Sequence, residues 1–410
     1  MAHQVEKFAQ FCAEQGRPEL LELLPEISEG ARVEIRVEGA RCSRPLDDDD
    51  ATVLATGLVV SGLDVSVVSL PNHAIGNPGA AALSTLLLEE PATGYAGALN
   101  RLDLRGNAVG AVGVQAIADA VRKSTAIVDL DLSWNPLGEE GGYRVAEMLE
   151  SLETLKALKV AHTDLDTSAL IAICSTLRTN GACLEHLDVG GAVLAAEQSE
   201  DFAKHVATML GLNRRLLSLS LGNCRIGDDS VGHIATALQG NPTLTALNLK
   251  ANRVRSAGAA ALADALRRSA LSAGNRRGAL APPLKILDLS HNAIGDEGAA
   301  ALADAVAHEC SLYELRVAHN DIDDAGLADL ARALHHPNHL RYVAAWGNRF
   351  GKSANAEFHD LYHGDNDCYV EMDFTTYEVD GKLRAAERVD LAFTGAKREA
   401  QVLERARSMN

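Results

Sequence analysis

At 410 residues with a 47% apolar fraction, the chain has ample material for a continuous core, yet aromatics supply only 4%, so small aliphatic side chains must do the packing. A formal charge of −18 argues against any general affinity for nucleic acid or an anionic membrane, which needs clustered Lys and Arg. Neutral or basic protein partners fit that balance.

The first 64 residues read as an N-terminal cap. A helical segment before Pro25 is followed by the alternating strand Val33-Glu34-Ile35-Arg36-Val37 and a helix starting near Asp50, together a degenerate repeat. The segment from Met1 to Gln15 lacks the apolar run of a secretory signal, and no stretch approaches the roughly 20 apolar residues of a membrane span. The seven cysteines (Cys12, Cys42, Cys174, Cys183, Cys224, Cys310 and Cys368) show no C-x-x-C pair and read as buried thiols of a reducing compartment. An intracellular, cytoplasmic location is the expectation.

Residues 65–352 carry one frame ten times: an apolar residue, two variable residues, Leu or Val, one variable residue, another apolar residue. It starts at Val65, Leu99, Ile127, Leu155, Leu184, Leu216, Leu244, Leu284, Leu312 and Leu340. Five of the nine steps are 28 residues, one is 29, and the others are 32, 34 and 40. Within the second copy Leu99, Leu102 and Leu104 alternate as in a short strand, Asn107 sits at a turn, and Gly113 to Val121 has apolar residues at helical spacing. Each unit is thus strand, turn, helix. The Asn recurs as Asn135, Asn252, Asn292, Asn320 and Asn348, and becomes His73, Thr163, Ala192 and Cys224 elsewhere. The Gly190-Gly191-Ala192-Val193 stretch is the least regular turn, where local mobility is expected. The 40-residue step carries an insertion from Ser272 to Pro283, rich in Gly, Pro and Ala, which reads as an exposed loop.

Past Phe350 the pattern stops. Residues 353–410 read as a C-terminal cap: a helix from Ala354 to Tyr362, a hairpin with strands from Cys368 to Val379 and from Lys382 around Asp380-Gly381, and a basic helix from Gly395 to Ser408.

A period near 28 around L-x-x-L-x-L-x-x-N is the pattern of leucine-rich repeats. The blocks LNRLDLRGNAVG, LTALNLKANRVRSAGAAALADAL and LKILDLSHNAIGDEGAAALADAV resemble the ribonuclease-inhibitor class of that family. The resemblance implies an α/β solenoid, a ribonuclease-inhibitor-like horseshoe with an inner parallel sheet and outer helices. Members of the class include inhibitors, innate-immune sensors, a Ran GTPase-activating protein and ciliary scaffold subunits. The head (VEIRVEGARC, then LDDDDATVLATGL) and the tail (YVEMDFTTYEVDGKLRAAE) resemble a testis- and cilium-associated branch. That implies a non-enzymatic subunit of a ciliary or flagellar axonemal complex near the radial spokes, with axonemal proteins as partners. The alternative is a GTPase-activating or GTPase-binding repeat protein, which needs an arginine on a loop beside the GTPase site; Arg105, Arg253 and Arg255 lie near strand ends.

No cofactor, metal or small-molecule substrate is expected. The GKS at Gly351-Lys352-Ser353 has three residues, not four, between its glycines, and the repeat accounts for Asn348, Phe350 and Gly351. Asp321-Ile322-Asp323-Asp324-Ala325-Gly326 has Arg332 where a calcium loop needs its bidentate Glu. It aligns with Gly227-Asp228-Asp229 and Gly295-Asp296-Glu297, where acids open a helix and suit its dipole. His335, His336 and His339 read as a helix end. On the strands, acids concentrate early (Asp103, Asp129, Asp131, Glu185, Asp188) and large residues late. The late group, Tyr313, Arg316, His319, Arg341, Tyr342 and Trp346, holds the residue types that most often anchor interfaces, and is the candidate protein-binding site; the alternative is that Tyr342 and Trp346 pack on the C-terminal cap.

Overall fold

The apolar residues of each copy of the frame are the ones that leave water. Leu99, Leu102 and Leu104 are fully buried, and Val109 and Ile117 join them from the turn and the helix of the same coil. A computed structural model describes residues 2–388 apart from 25–31, 38–43, 89–96, 151–152, 180–182, 193, 276–283, 309, 337 and 364–369. The chain divides into two units, residues 1–194 and 195–410.

The first unit runs α1 (Ala2–Glu14), β1 (Val33–Arg36), α2 (Asp48–Ser61), β2 (Val65–Ser69), α3 (Asn77–Ser84), β3 (Arg101–Asp103), α4 (Ala111–Val121), β4 (Asp129–Asp131), α5 (Gly138–Leu149), β5 (Ala157–Lys159), α6 (Thr167–Thr176) and β6 (His186–Asp188). Its strands are parallel and paired in chain order, with Leu102 opposite Leu130 and Leu130 opposite Leu158. The second unit runs α7 (Ala196–Leu212), β7 (Ser218–Ser220), α8 (Asp228–Leu238), β8 (Ala246–Asn248), α9 (Ser256–Asn275), β9 (Ile286–Asp288), α10 (Gly295–Ala307), β10 (Glu314–Arg316), α11 (Asp324–Leu334), β11 (Tyr342–Ala344), α12 (Lys352–His363), β12 (Glu371–Met372), β13 (Phe374–Val379) and β14 (Lys382–Glu387). Here β7 to β12 are likewise parallel in chain order, with Leu287 opposite Leu315 and Leu315 opposite Val343. Within each unit successive helices pack on one another. The fold is an α/β leucine-rich-repeat solenoid.

Small residues let the coils stack. A Cβ on Gly113 would lie 2.8 Å from Val109 and 3.2 Å from the Cβ of Ala80 in the preceding coil, and one on Gly142 would lie 2.5 Å from the Cβ of Ala169 in the next. Larger side chains there would force the helices apart, which is why so few aromatics are needed.

Two hydrogen-bonded rows tie coil to coil. In the first, Asn135 donates from Nδ2 to the carbonyls of Leu104 (2.8 Å) and Leu132 (3.0 Å) and accepts the Val109 N–H (2.9 Å). Asn107, Asn252, Asn292 and Asn348 repeat the pattern. Thr163 keeps one bond, to the Val160 carbonyl at 2.6 Å, and the Cys224 thiol reaches the Gly222 carbonyl at 3.5 Å. In the second row the acids open their own helices as expected and take a further part besides. Asp228 accepts the Arg255 and Gly258 N–H groups (2.7 and 3.0 Å), and Asp296 accepts those of Asp323 and Gly326 (2.7 and 3.2 Å). Each carboxylate therefore caps the helix of the following coil. Asp48 and Asn77 play the same part in the first unit. A helix N-terminus leaves backbone donors unpaired, and the preceding coil supplies the acceptor.

The N-terminal end is closed by α1, whose Phe8 and Phe11 lie against Gly57 of α2. Asp50, fully buried, receives two bonds from Arg44 (2.6 and 2.9 Å), an ion pair from Arg17 (2.9 Å) and the Asp47 N–H (3.1 Å). At the other end the sequence expectation needs correction. The stretch to Val379 is not one strand: Glu371–Met372 pairs parallel with β11, and β13 starts anew to form the antiparallel hairpin with β14 around Asp380-Gly381. The break falls at Asp373, whose carboxylate accepts the Ala345 and Trp346 N–H groups (2.9 and 3.1 Å). Ten strands were expected from the repeat; β12 adds an eleventh coil in the second unit, as β1 adds one before the first frame. Helix α9 also continues to Asn275, four residues into the stretch read as a loop. The rest of that insertion and the basic helix expected from Gly395 lie outside the described residues.

Candidate interaction face

The frame divides its residues into builders and displayed side chains. Positions one, four, six and nine build the coil; three and five point from the opposite side of each strand, and seven and eight form the loop that follows. The displayed residues differ from coil to coil: Arg101, Asp129, Ala157 and His186 occupy position three of β3 to β6.

Part of the acidity read there is structural. Asp103 and Asp131 are only 5% and 3% exposed, and their carboxylates accept the Arg105 and Ser133 N–H groups (3.1 and 3.0 Å). Asp188 and Asp288 do the same for Gly190 and Ser290 at 2.9 Å. The Asp of L-D-L thus closes the turn two residues on. Burial and the neighbouring Asp103 charge push the Asp131 carboxyl up, against Lys159 and the Ser133 hydrogen bonds. Arg101 spans Asp103 (3.8 Å) and Asp129 (3.4 Å), and Lys156 meets Glu185 at 2.9 Å.

The six late residues fall into three places. Arg316 is paired with Glu314 (2.5 Å) and Asp288 (3.4 Å); burial lowers its pKa, but the two carboxylates outweigh it and raise it. Tyr342, directly opposite Glu314 in the register, is only 7% exposed. These two sit together on the strands. Tyr313 and Arg341 precede them at position two, where the Arg341 N–H donates to the Tyr313 carbonyl (2.8 Å); Arg341 is exposed and Tyr313 half-buried. In the loops, exposed His319 stacks on His291 at 4.4 Å. Burial, then the charges of His319 and Lys250, hold the His291 pKa below its usual range. Trp346 is half-buried and leans to the C-terminal cap, 6.1 Å from Phe350, which meets Phe374 at 4.7 Å as Phe374 meets Phe358 at 4.9 Å.

One residue that the sequence reading passed over is Trp134, 57% exposed at position eight of the third frame and stacked on His162 at 3.9 Å. The signal was present: the chain has two tryptophans, and this one lies where no core position falls. Arg105 is half-buried in the first unit, while Arg253 and Arg255 are exposed on the loop leading to α9.

The cofactor-like motifs are filled by the protein itself. Asp324 accepts the Ser353 and Ala354 N–H groups of the GKS turn (3.0 and 2.7 Å), the donors a phosphate would use. Burial raises the Asp324 pKa, but those amide bonds outweigh it and hold the carboxyl below its usual range. Arg349 meets Asp321 (3.3 Å) and Asp323 (3.0 Å), so a guanidinium stands where a calcium loop would hold its ion. His335 lies just past α11, 3.9 Å from Glu357. Among the described residues no group of three or more His, Cys, Asp or Glu could hold a metal ion, and no helix is long and apolar enough to cross a membrane.

Fold, repeat length and coil-to-coil bonding define a leucine-rich-repeat solenoid whose repeats are similar to those of the ribonuclease-inhibitor type. The Leucine Rich repeat family matches residues 99–118, 123–146, 240–263, 281–303 and 308–331. The chain is similar to ribonuclease inhibitor of Sus scrofa, 27% identical over 182 residues, which is 44% of this chain. It spans only 38% of that relative's length. Among solved structures it is similar to an internalin (inlF) from Listeria monocytogenes, with TM-score 0.41, 15% identity and 92% and 96% of the two chains covered. It is also similar to the TLR13–ssRNA13 complex, with TM-score 0.41, 14% identity and 75% and 39% covered.

Proposed function

We propose that the protein is a non-enzymatic scaffold for protein–protein contacts, a structural subunit of a ciliary or flagellar axonemal complex in the radial-spoke region. The observation that carries the scaffold reading is the division of labour within the repeat. Builders recur coil after coil, while the displayed positions hold a different set of ordered side chains on each strand. A surface of that kind recognises shape and charge over many coils. The axonemal assignment is supported by the head and tail resemblance, whose residues supply ordered elements outside the ten frames, β1 and the β13–β14 hairpin.

Within the second unit, the contact is assigned to Tyr313, Arg316, His319, Arg341, Tyr342 and Trp346. Arg341 and His319 are the most accessible of these, Tyr342 and Arg316 form the firm floor, and Trp346 joins the face to the cap. Tagged full-length protein isolated from ciliated cells should bring down axonemal subunits, and Arg341→Ala with His319→Ala should reduce that recovery at unchanged melting temperature. Recovery of a small GTPase without axonemal proteins would favour the GTPase-binding alternative and overturn the assignment.

A further inference from the structure

Position eight of every frame adopts the left-handed backbone, with φ between 53° and 82° from Asn72 to Gly347. Glycine and asparagine tolerate that conformation best, and they occupy it at Asn72, Gly106, Gly191, Asn223 and Gly347. Trp134 adopts it at φ 59°, an uncommon place for a bulky side chain. Burial does not offset the strain, because the indole is 57% exposed. Its only ring contact among the described residues is with His162, nearly parallel at 14°.

The next coil thus covers one indole face. Toward the preceding coil stands Gly106, which has no side chain and whose N–H donates to the Ser133 carbonyl at 2.9 Å. By that register Gly106 lies opposite Trp134 and Arg105 opposite Ser133, so Arg105 and Trp134 are diagonal neighbours on adjacent coils. Arg105 is half-buried, and among the described residues no carboxylate pairs with its guanidinium, unlike those of Arg101, Arg316 and Arg349. The site therefore combines an exposed, held aromatic ring with an uncommitted cation in a chain that is otherwise strongly acidic.

We propose that Arg105 and Trp134 together anchor a partner-protein segment in which an aromatic side chain lies next to a carboxylate. The aromatic ring stacks on the open indole face and the carboxylate accepts from the guanidinium. The inference rests on the scaffold reading and names the chemistry of one contact.

The test uses the full chain labelled with 5-fluorotryptophan, whose two tryptophans give two fluorine resonances, assigned with Trp134→Gly. The probes are the peptides acetyl-Gly-Asp-Tyr-Glu-Gly-amide and acetyl-Gly-Lys-Tyr-Lys-Gly-amide. The acidic peptide should shift the Trp134 line saturably and leave the Trp346 line in place, and the lysine peptide should not. Arg105→Gln should weaken the acidic peptide about tenfold, the loss of one charge-assisted hydrogen bond. Trp134→Gly should melt no lower than the parent, since glycine suits the backbone, so lost binding cannot be blamed on unfolding. Absence of saturation at millimolar acidic peptide overturns the proposal, as does equal binding of the lysine peptide or unchanged affinity of Arg105→Gln. Axonemal subunits still recovered by the parent chain after such a result would leave the scaffold reading standing, and their loss would remove both.

Discussion

Replacing Asn135 by alanine tests the physical argument for the repeat at its most buried point. Asn135 is 2% exposed and serves the Leu104 and Leu132 carbonyls and the Val109 N–H. Leu104 keeps a second donor in Asn107 at 2.9 Å, whereas no other partner is present among the described residues for the Leu132 carbonyl and the Val109 N–H. Both lie in fully buried residues, so the truncation orphans one acceptor and one donor out of reach of water. At about 1–3 kcal/mol per orphaned group, the expected loss is about 3–4 kcal/mol. Asn135→Thr provides an internal scale. Thr163 shows that a hydroxyl at this position still reaches its own coil's carbonyl. The threonine variant should therefore orphan only the Val109 N–H and lose about half as much. Urea unfolding would give the global value, and hydrogen exchange of the Val109 and Leu132 neighbourhood would show whether the loss is local, as a stacked-repeat architecture allows. Equal stability of Asn135→Ala and the parent, or a threonine variant no better than alanine, would refute this account of the row.

Asp50→Asn should destabilise the N-terminal cap by about 2–4 kcal/mol, because a fully buried carboxylate bonded to Arg44 and paired with Arg17 is replaced by a neutral amide. Burial raises the Asp50 pKa, but the Arg44 and Asp47 hydrogen bonds and the Arg44 and Arg17 charges outweigh it and leave it lowered. Its contribution is accordingly present above about pH 4 and lost as pH falls through the lowered folded value, so the protection factors of the α2 amides, corrected for intrinsic exchange, should fall with acid in the parent and much less in the variant. Gly326→Ala should cost about 2 kcal/mol in urea unfolding, since its Cβ would sit 2.6 Å from the Asp296 carboxylate and 2.8 Å from that residue's Cα. Gly232→Ala in α8, where a Cβ meets nothing within 4 Å, should gain about 0.5–1 kcal/mol. Half-buried Cys183 should react with iodoacetamide in the native protein well before Cys174, whose thiol burial pushes up to about 12; peptide mass spectrometry separates the two, and equal rates would contradict the burial argument.

Residue spacing alone dictates the coil. Apolar residues spaced for a strand and then for a helix can bury only one face of each, so Leu99, Leu102, Leu104, Val109 and Ile117 had to converge, and Asn107 had to sit where the backbone turns. Contacts between coils were not readable in the same way, because they join residues about one repeat apart whose approach depends on stacking geometry. Stacking gave Asp228 and Asp296, which still open their own helices, a second part as caps for the following helix, and it made Asp324 fill the GKS turn. Alternation along a strand says which side a residue takes and not whether a neighbour covers it. Hence Asp103 and Asp131 fold back onto their own turns, Tyr342 is buried, and Trp346 turns toward the cap phenylalanines. Degenerate coils escaped the frame for a related reason. Two residues, Glu371 and Met372, suffice for a terminal strand once β11 offers its edge, and only the folded neighbour decides that they pair there. Trp134 illustrates both halves: its place in the loop was written in the repeat, while its exposure and its stack on His162 came from the coils on either side.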